Sequence, residues 1–484
     1  MYNRVDKFSL LTDFYELTMM NGYLNEKMHN QIAYFEYYFR NIPDEGGYAI
    51  CCGLESFVEY ILELEFSEDE IELLRNKKTF SEEFLKELSD YKFTGDVWAI
   101  PEGTPVFANE PLVIVRGRVF EVQLVETALL LFFNHQSLIA TKACRIVSAA
   151  QGRSVMEFGA RRAQGVDASV MGARSAYIGG CIGTSNLLAE KEFGIPALGT
   201  MAHSWVQMFE NEYEAFKAYA ESYPNNCNLL IDTYDVFKSG LPNAIKVFDE
   251  VLAPMGKRPT GVRVDSGDIA YITKKVRKIL DEAGYEDCPI VVSNSLDELV
   301  IRNLLLQGAK IDSFGVGERL VTAKSQPVFG GVYKLVAVEK DGEIINKIKI
   351  SETFTKITTP GFKQLWRLFD KESGKAMADL VSFHDEKIDG SSKIELFDPI
   401  DTWKTKTVSN FDVVPMLKRI FDGGKLVYEM PTLSEIRENC SKGLDYLWDE
   451  VKRFDKPHKY VVDLSCELWK TKSEMIRKFD FNKK

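Results

Sequence analysis

Between residues 151 and 340, short apolar runs alternate with longer stretches of helical period. The runs Ser154–Phe158, Tyr177–Cys181, Ala197–Met201, Asn228–Asp232, Gly261–Asp265, Pro289–Ser293 and Ile311–Val316 each close on or beside polar residues or glycine. Among the intervening stretches, Ser185–Phe193, His203–Tyr219, Val236–Leu252, Asp268–Ala283 and Leu296–Gln307 read as helices. Strands that alternate with helices of this length predict parallel strands joined by right-handed crossovers. About seven such units in series, without a dinucleotide fingerprint, favour a closed barrel over an open doubly wound sheet. Either closure gathers ligands where the strands end, which singles out Glu157, Thr200, Asp232, Asp265, Ser293 and Gly315.

The flanks differ. Up to about Ala150 helices are predicted at Asp13–Tyr23, Glu55–Leu64 and Ser67–Asn76, then a Gly/Pro-punctuated β region through Val97–Val119 and a long helix over Glu121–Ala150. Ser67 and Glu70 have the spacing of a capping box. After about Gly331 alternating strands return at Val332–Val338, Glu343–Ile350 and Gln364–Phe369, and helices close the chain around Leu433–Phe454 and Leu464–Phe479. Mixed structure on both sides predicts a discontinuous mixed α/β domain of residues 1–150 and 341–484 around an α/β block of residues 151–340.

Composition narrows the function. A length of 484 residues suits two domains, and 45% hydrophobic with 27% charged residues is ordinary for a globular chain. A net charge of -12 repels polyanions, which argues against nucleic acid as a partner. No apolar run approaches membrane-spanning length, and Asp6, Asp13 and Glu16 interrupt any signal-peptide pattern, so a cytoplasmic location is expected. The eight scattered cysteines form no C-x-x-C pair and predict buried thiols rather than zinc or disulfides.

Four segments could carry chemistry. In Arg263-Val-Asp265-Ser-Gly-Asp268 a carboxylate that could accept sugar hydroxyls leaves a strand with a guanidinium that could grip an anion; capping of the next helix explains the Asp and Ser equally well. Phe314-Gly315-Val-Gly317-Glu-Arg319 lets backbone approach a phosphate, a weak signal alone that Ser293-Asn294-Ser295 strengthens. Glu157-Phe158-Gly-Ala-Arg161-Arg162 offers adjacent arginines for a diphosphate and a ring for stacking, although arginine pairs usually sit in solvent. His203 in Gly199-Thr-Met-Ala-His-Ser204 could be a general acid/base, a phosphoryl acceptor or a helix-end hydrogen bonder, and local reading does not choose between the first two. No metal-ligand spacing is present. Thr12 or Asp13 reads as the N-cap of the first helix, and local reading gives Tyr15 no function.

Together Leu11-Thr-Asp-Phe-Tyr-Glu-Leu-Thr18, Glu157-Phe-Gly-Ala-Arg-Arg-Ala-Gln-Gly165, Gly199-Thr-Met-Ala-His-Ser204, Gly261-Val-Arg-Val-Asp-Ser-Gly-Asp268, Val292-Ser-Asn294, Gly315-Val-Gly-Glu-Arg-Leu-Val-Thr322 and Gly330-Gly-Val-Tyr-Lys334 resemble the nicotinate phosphoribosyltransferase family. The resemblance implies an irregular α/β barrel of the type II phosphoribosyltransferases beside a mixed α/β domain, working as a homodimer. It implies ATP-coupled, ligase-type joining of nicotinate to 5-phosphoribosyl 1-diphosphate, with Mg²⁺, in NAD salvage. Phe158 and Tyr15, the latter from the partner subunit, would sandwich the pyridine ring. Arg263 would face the nicotinate carboxylate and the diphosphate, and Asp265 the ribose hydroxyls. Ser293, Asn294 and the Gly315–Gly317 turn would hold the 5-phosphate, Arg161 would assist with phosphates, and His203 would be phosphorylated by ATP.

Rival readings are a nicotinamide phosphoribosyltransferase, a quinolinate phosphoribosyltransferase and a non-catalytic sugar-phosphate-binding barrel or scaffold. In the nicotinamide enzymes an aspartate follows the Gly-Thr of the ring pocket; here Ser185 follows Gly183-Thr184 and does not repel a carboxylate. The quinolinate family is much shorter, and a pure binder has no use for a phosphoryl-accepting His203.

Overall fold

The computed structural model describes residues 8–401 and 403–479. Its chain divides into two compact units, one of Met1–Leu138 with Val328–Lys484, the other of Ile139–Pro327.

In the inserted unit five parallel strands lie in the order Ser154–Glu157, Ser313–Val316, Ile290–Val292, Gly261–Val264, Asn228–Leu230. Two single bridges, Glu157 to Thr184 and Thr184 to Ala197, extend the parallel series beyond its first strand. Among the described residues no pairing joins Ala197 to Asn228–Leu230. Leu229, Leu230, Val262, Val264, Ile290, Val292, Phe314 and Val316 are wholly buried, as expected for parallel strands covered on both faces. Helices start close after the strands, capped by side chains the same loops supply: Asn186 Oδ1 accepts from Leu188 N, Asp268 Oδ1 from Tyr271 N, and Asp297 Oδ1 from Val300 N.

Two expected strands of this unit are not strands. Tyr177–Cys181 falls at the end of the helix Val166–Ile178 and in the turn after it. The helix approaches its neighbour closely there: a Cβ on Gly179 would come within 2.6 Å of Ala140 O, and Gly180 takes φ 106°. A short apolar run is compatible with either element, and small residues tip it toward close helix packing. Ala197–Met201 pairs only at its start, because Thr200 and Met201 turn instead to Arg263. The stretch Val236–Leu252 is helical with two π turns, and His203–Tyr219 breaks into His203–Gln207 and Glu212–Ser222.

The discontinuous unit holds a seven-stranded sheet in which Ile32–Phe39 pairs antiparallel with both Val113–Arg118 and Gly331–Lys340. A six-stranded mixed sheet pairs Lys363–Asp370 with Ala376–Phe383. The capping box at Ser67 and Glu70 is present. The expected long helix Glu121–Ala150 divides into Val119–Leu124 and Glu126–Ala149, the strand expected at Glu343–Ile350 stops at Asn346, and the helix expected around Leu433–Phe454 stops at Asp445. Inside this unit Arg367 pairs with Asp379 at 2.7 Å and Lys363 with Glu36 at 2.9 Å. Among the described residues no helix is long and apolar enough to cross a membrane.

Candidate active site

The parallel strands of the inserted unit are so short that their polar termini crowd one edge. Arg263, the third residue of the strand Gly261–Val264, donates to Thr200 Oγ1 at 2.6 Å and to Met201 O at 2.9 Å, and its Nε has no partner. Burial pulls its pKa below the ordinary arginine value and Arg161 acts the same way, while Asp265 and Asp232 favour its charge. Arg263 therefore has the electrostatic and hydrogen-bonding vacancy of a group that waits for an anion.

Two residues on, Asp265 Oδ1 accepts from Ser293 Oγ at 2.5 Å, and Asp265 Oδ2 stands 3.9 Å from His203 Nε2. His203 opens the helix His203–Gln207, and its Nδ1 meets Thr233 Oγ1 at 3.1 Å. Both side chains are about 40% exposed, open to a ligand. Behind them Asp232 Oδ2 accepts from Asp265 N at 2.9 Å and Ser266 Oγ at 2.6 Å, fixing the turn that aims Asp265; Asp232 Oδ1 is buried without a partner. Asn294 and Ser295 follow at φ 99° and 48°, consecutive left-handed residues of the kind that persists where the surroundings over-determine a functional loop.

The other half of the edge is organised by Glu157, wholly buried. Thr184 Oγ1 donates to Glu157 Oε2 at 2.6 Å, Gly159 N donates to Glu157 Oε1, and Ser185 N donates to Glu157 O at 2.9 Å. One residue thus ties the turn after Phe158 to the loop that exposes Ser185. Burial raises the Glu157 pKa and the two donors oppose that rise. Phe158 lies on Gly315: a Cβ there would sit 2.6 Å from its ring, and one on Gly317 would sit 2.9 Å from Phe158 O. The sequence reading gave these glycines to a phosphate; the room they leave is taken by Phe158. Arg161, in the short turn Ala160–Arg162, is exposed.

The structure thus brings Arg263, Asp265, His203 and Ser293 into one linked group, and Phe158, Thr184 and Ser185 into another on the same sheet edge. Tyr15 belongs to the other unit, exposed on the first turn of Phe14–Asn25, where burial and then Glu126, Glu16 and Asp13 raise its pKa. Thr12, an expected cap, instead donates to Glu16. Thr233 and the orienting roles of Thr200 and Asp232 were missed from sequence. The signal for Asp232 and Thr233 was their place at a strand end.

With this geometry in hand, comparison with known proteins is informative. Models of the nicotinate phosphoribosyltransferase (NAPRTase) N-terminal domain, family and C-terminal domain match residues 10–134, 153–365 and 362–472. A nicotinate phosphoribosyltransferase of Bacillus subtilis is 43% identical over 473 residues, 97% of this chain and 96% of the relative. The crystal structure of human nicotinic acid phosphoribosyltransferase superposes with a TM-score of 0.83 at 29% identity, covering 96% of this chain and 100% of that one. A nicotinate-nucleotide pyrophosphorylase structure from Pyrococcus furiosus follows with a TM-score of 0.69 at 26% identity, over 90% and 95%. The chain belongs to the nicotinate phosphoribosyltransferase family.

Proposed function

We propose that this protein transfers the 5-phosphoribosyl group of 5-phosphoribosyl 1-diphosphate to nicotinate, coupled to ATP hydrolysis, releasing nicotinate mononucleotide and pyrophosphate in NAD salvage. The observation that carries the reading is the linked group Arg263, Asp265, Ser293 and His203 at one edge of a parallel sheet. The same reading takes the seven parallel segments as an irregular barrel and the enzyme as a homodimer, with the exposed Tyr15 crossing to the partner's site.

Departure of the diphosphate leaves positive charge on the ribose, and the pyridine nitrogen then bonds to the same carbon. The protein must place a weak nucleophile and stabilise a leaving anion, and no covalent bond to the protein is needed. Phe158 and the partner's Tyr15 stack the ring, and Thr184 and Ser185 border it without a negative charge that would repel its carboxylate. Arg263, already desolvated, meets the carboxylate and the diphosphate, and Arg161 adds charge on the solvent side. Asp265 accepts the ribose hydroxyls, and Ser293, Asn294 and the Gly315–Gly317 turn take the 5-phosphate.

Mg²⁺ prefers one or two carboxylates together with substrate phosphates. The partnerless Asp232 Oδ1 and the neighbouring Asp265 fit that preference, and the ion would supply neutralisation of the diphosphate charge. His203 accepts the phosphoryl group of ATP, and hydrolysis of that phosphohistidine draws the equilibrium toward nucleotide.

A nucleotide-formation assay with nicotinate or nicotinamide, with and without ATP, tests the reading. Nicotinate is the preferred acceptor and ATP raises the yield; absence of any nicotinate-dependent nucleotide would overturn it. His203→Ala keeps slow synthesis and loses ATP stimulation, and Ser185→Asp raises the KM for nicotinate.

A further inference from the structure

The discontinuous unit carries a half-open cavity of about 700 Å³ that the reaction does not use, within the size range of small-molecule sites. Its lining joins four kinds of group. Phe107 and Tyr460 stack with centroids 3.8 Å apart. Trp403 lines the cavity and is 78% exposed, although burying an indole is strongly favourable. Asp463 lines it as well and is only 6% exposed. His458 and Lys459 supply positive charge close by in sequence.

A ligand N–H would find in Asp463 a carboxylate acceptor on the cavity wall. Burial, and then Asp398, push its pKa up to about 6, against the pull of Lys459 and Lys406. The loop that forms another wall is held unusually: Asp44 and Glu45 take φ 55° and 50° in succession, and a Cβ on Gly47 would meet Val451 O at 1.9 Å. Strain of this kind clusters at ligand clamps.

These features ask for a flat ring, an N–H donor on its edge and an anionic group at the other end. A free amino acid has the charges but fills little of such a volume. We propose that the cavity is a second ligand site, for a nucleotide whose base carries an amino group, its ring on Trp403, its amino group donating to Asp463 and its phosphate at His458-Lys459.

Adenosine monophosphate is the probe, titrated into the full-length protein with tryptophan emission and calorimetry as readouts. Saturable binding at the cavity is expected, with the emission change lost in Trp403→Phe and affinity lowered at least tenfold in Asp463→Asn and Lys459→Glu. Adenosine and inorganic phosphate, added separately, should each bind more weakly than the nucleotide. The proposal is overturned by undiminished affinity in both charge variants, by phosphate binding as tightly as the nucleotide, or by no binding at all. Thermal unfolding of each variant verifies that it is folded, and nicotinate-dependent synthesis without the probe should be unchanged.

Discussion

At the strand ends of the inserted unit His203 and Asp265 stand half-open and are partnered through hydroxyls and main chain, whereas in the sheets of the discontinuous unit Arg367 and Asp379, like Lys363 and Glu36, are sealed and paired with each other. His203 and Asp265 expose about 40% of their side chains; Arg367 exposes 4% and Asp379 none. Geometry explains the difference. Short parallel strands end together and leave their terminal polar groups on one edge, while long antiparallel strands carry polar groups into the middle of a sheet, where only an ion pair can satisfy them. Charge at these strand ends is available to a ligand, and charge in these sealed pairs specifies structure.

The largest effect should separate the two classes. Asp265→Asn is expected to lower kcat/KM for nucleotide formation about 10³-fold with the unfolding midpoint unchanged; a loss below tenfold would move Asp265 into the structural class. Arg367→Met should behave oppositely. It strands Asp379 beside Glu110, whose pKa burial already raises, and should cost about 3–5 kcal/mol in urea unfolding while kcat per folded molecule holds.

A smaller effect is pH-dependent. Glu16, buried between Thr12 and Thr127, has its pKa pushed up to about 7, chiefly by burial. A raised folded-state pKa favours the protonated fold, so its contribution is fully present below the ordinary value of 4.5 and is lost as pH rises through 7. Glu16→Gln should therefore gain on the order of 2 kcal/mol over the native chain at pH 8 and nothing at pH 4. Equal pH profiles for the two proteins would show that the site is better hydrated than its burial implies. The smallest effect tests Glu157, which resembles the sealed class in burial yet serves the open edge. Glu157→Gln should raise the KM for nicotinate about tenfold, roughly 1.4 kcal/mol, and leave that for the phosphoribosyl donor unchanged. A matched rise in both would make it structural alone.

Strand ends were legible because an apolar run that stops at Asp, Ser or Gly marks both a sheet edge and a polar mouth. Asp265, Ser293 and His203 were found that way. Roles that work through another residue were not: Asp232 stood out as a strand end, but its hold on Asp265 and Ser266, and the contact of Thr233 with His203, appear only when the neighbouring strand arrives, a long-range fact. Gly315 shows a related limit, since a glycine signals that something comes close without saying whether it is a ligand, the ring of Phe158 or both. The strand expected at Tyr177–Cys181 failed because five residues, two of them glycine, carry no period long enough to choose an element.

Ala33 pairs with Val338 in the seven-stranded sheet. At ribosomal speeds of about 5–20 residues per second, the first of these partners waits roughly 15–60 s for the second. Throughout that interval Ile32–Phe39, seven of whose eight residues are buried in the finished sheet, has an open flank on the nascent chain. The inserted unit is complete in sequence before its host is. Synthesis in a cell therefore depends on shielding that strand, and expression at low temperature or with a holdase chaperone should improve soluble yield more than any change at the strand ends of the inserted unit.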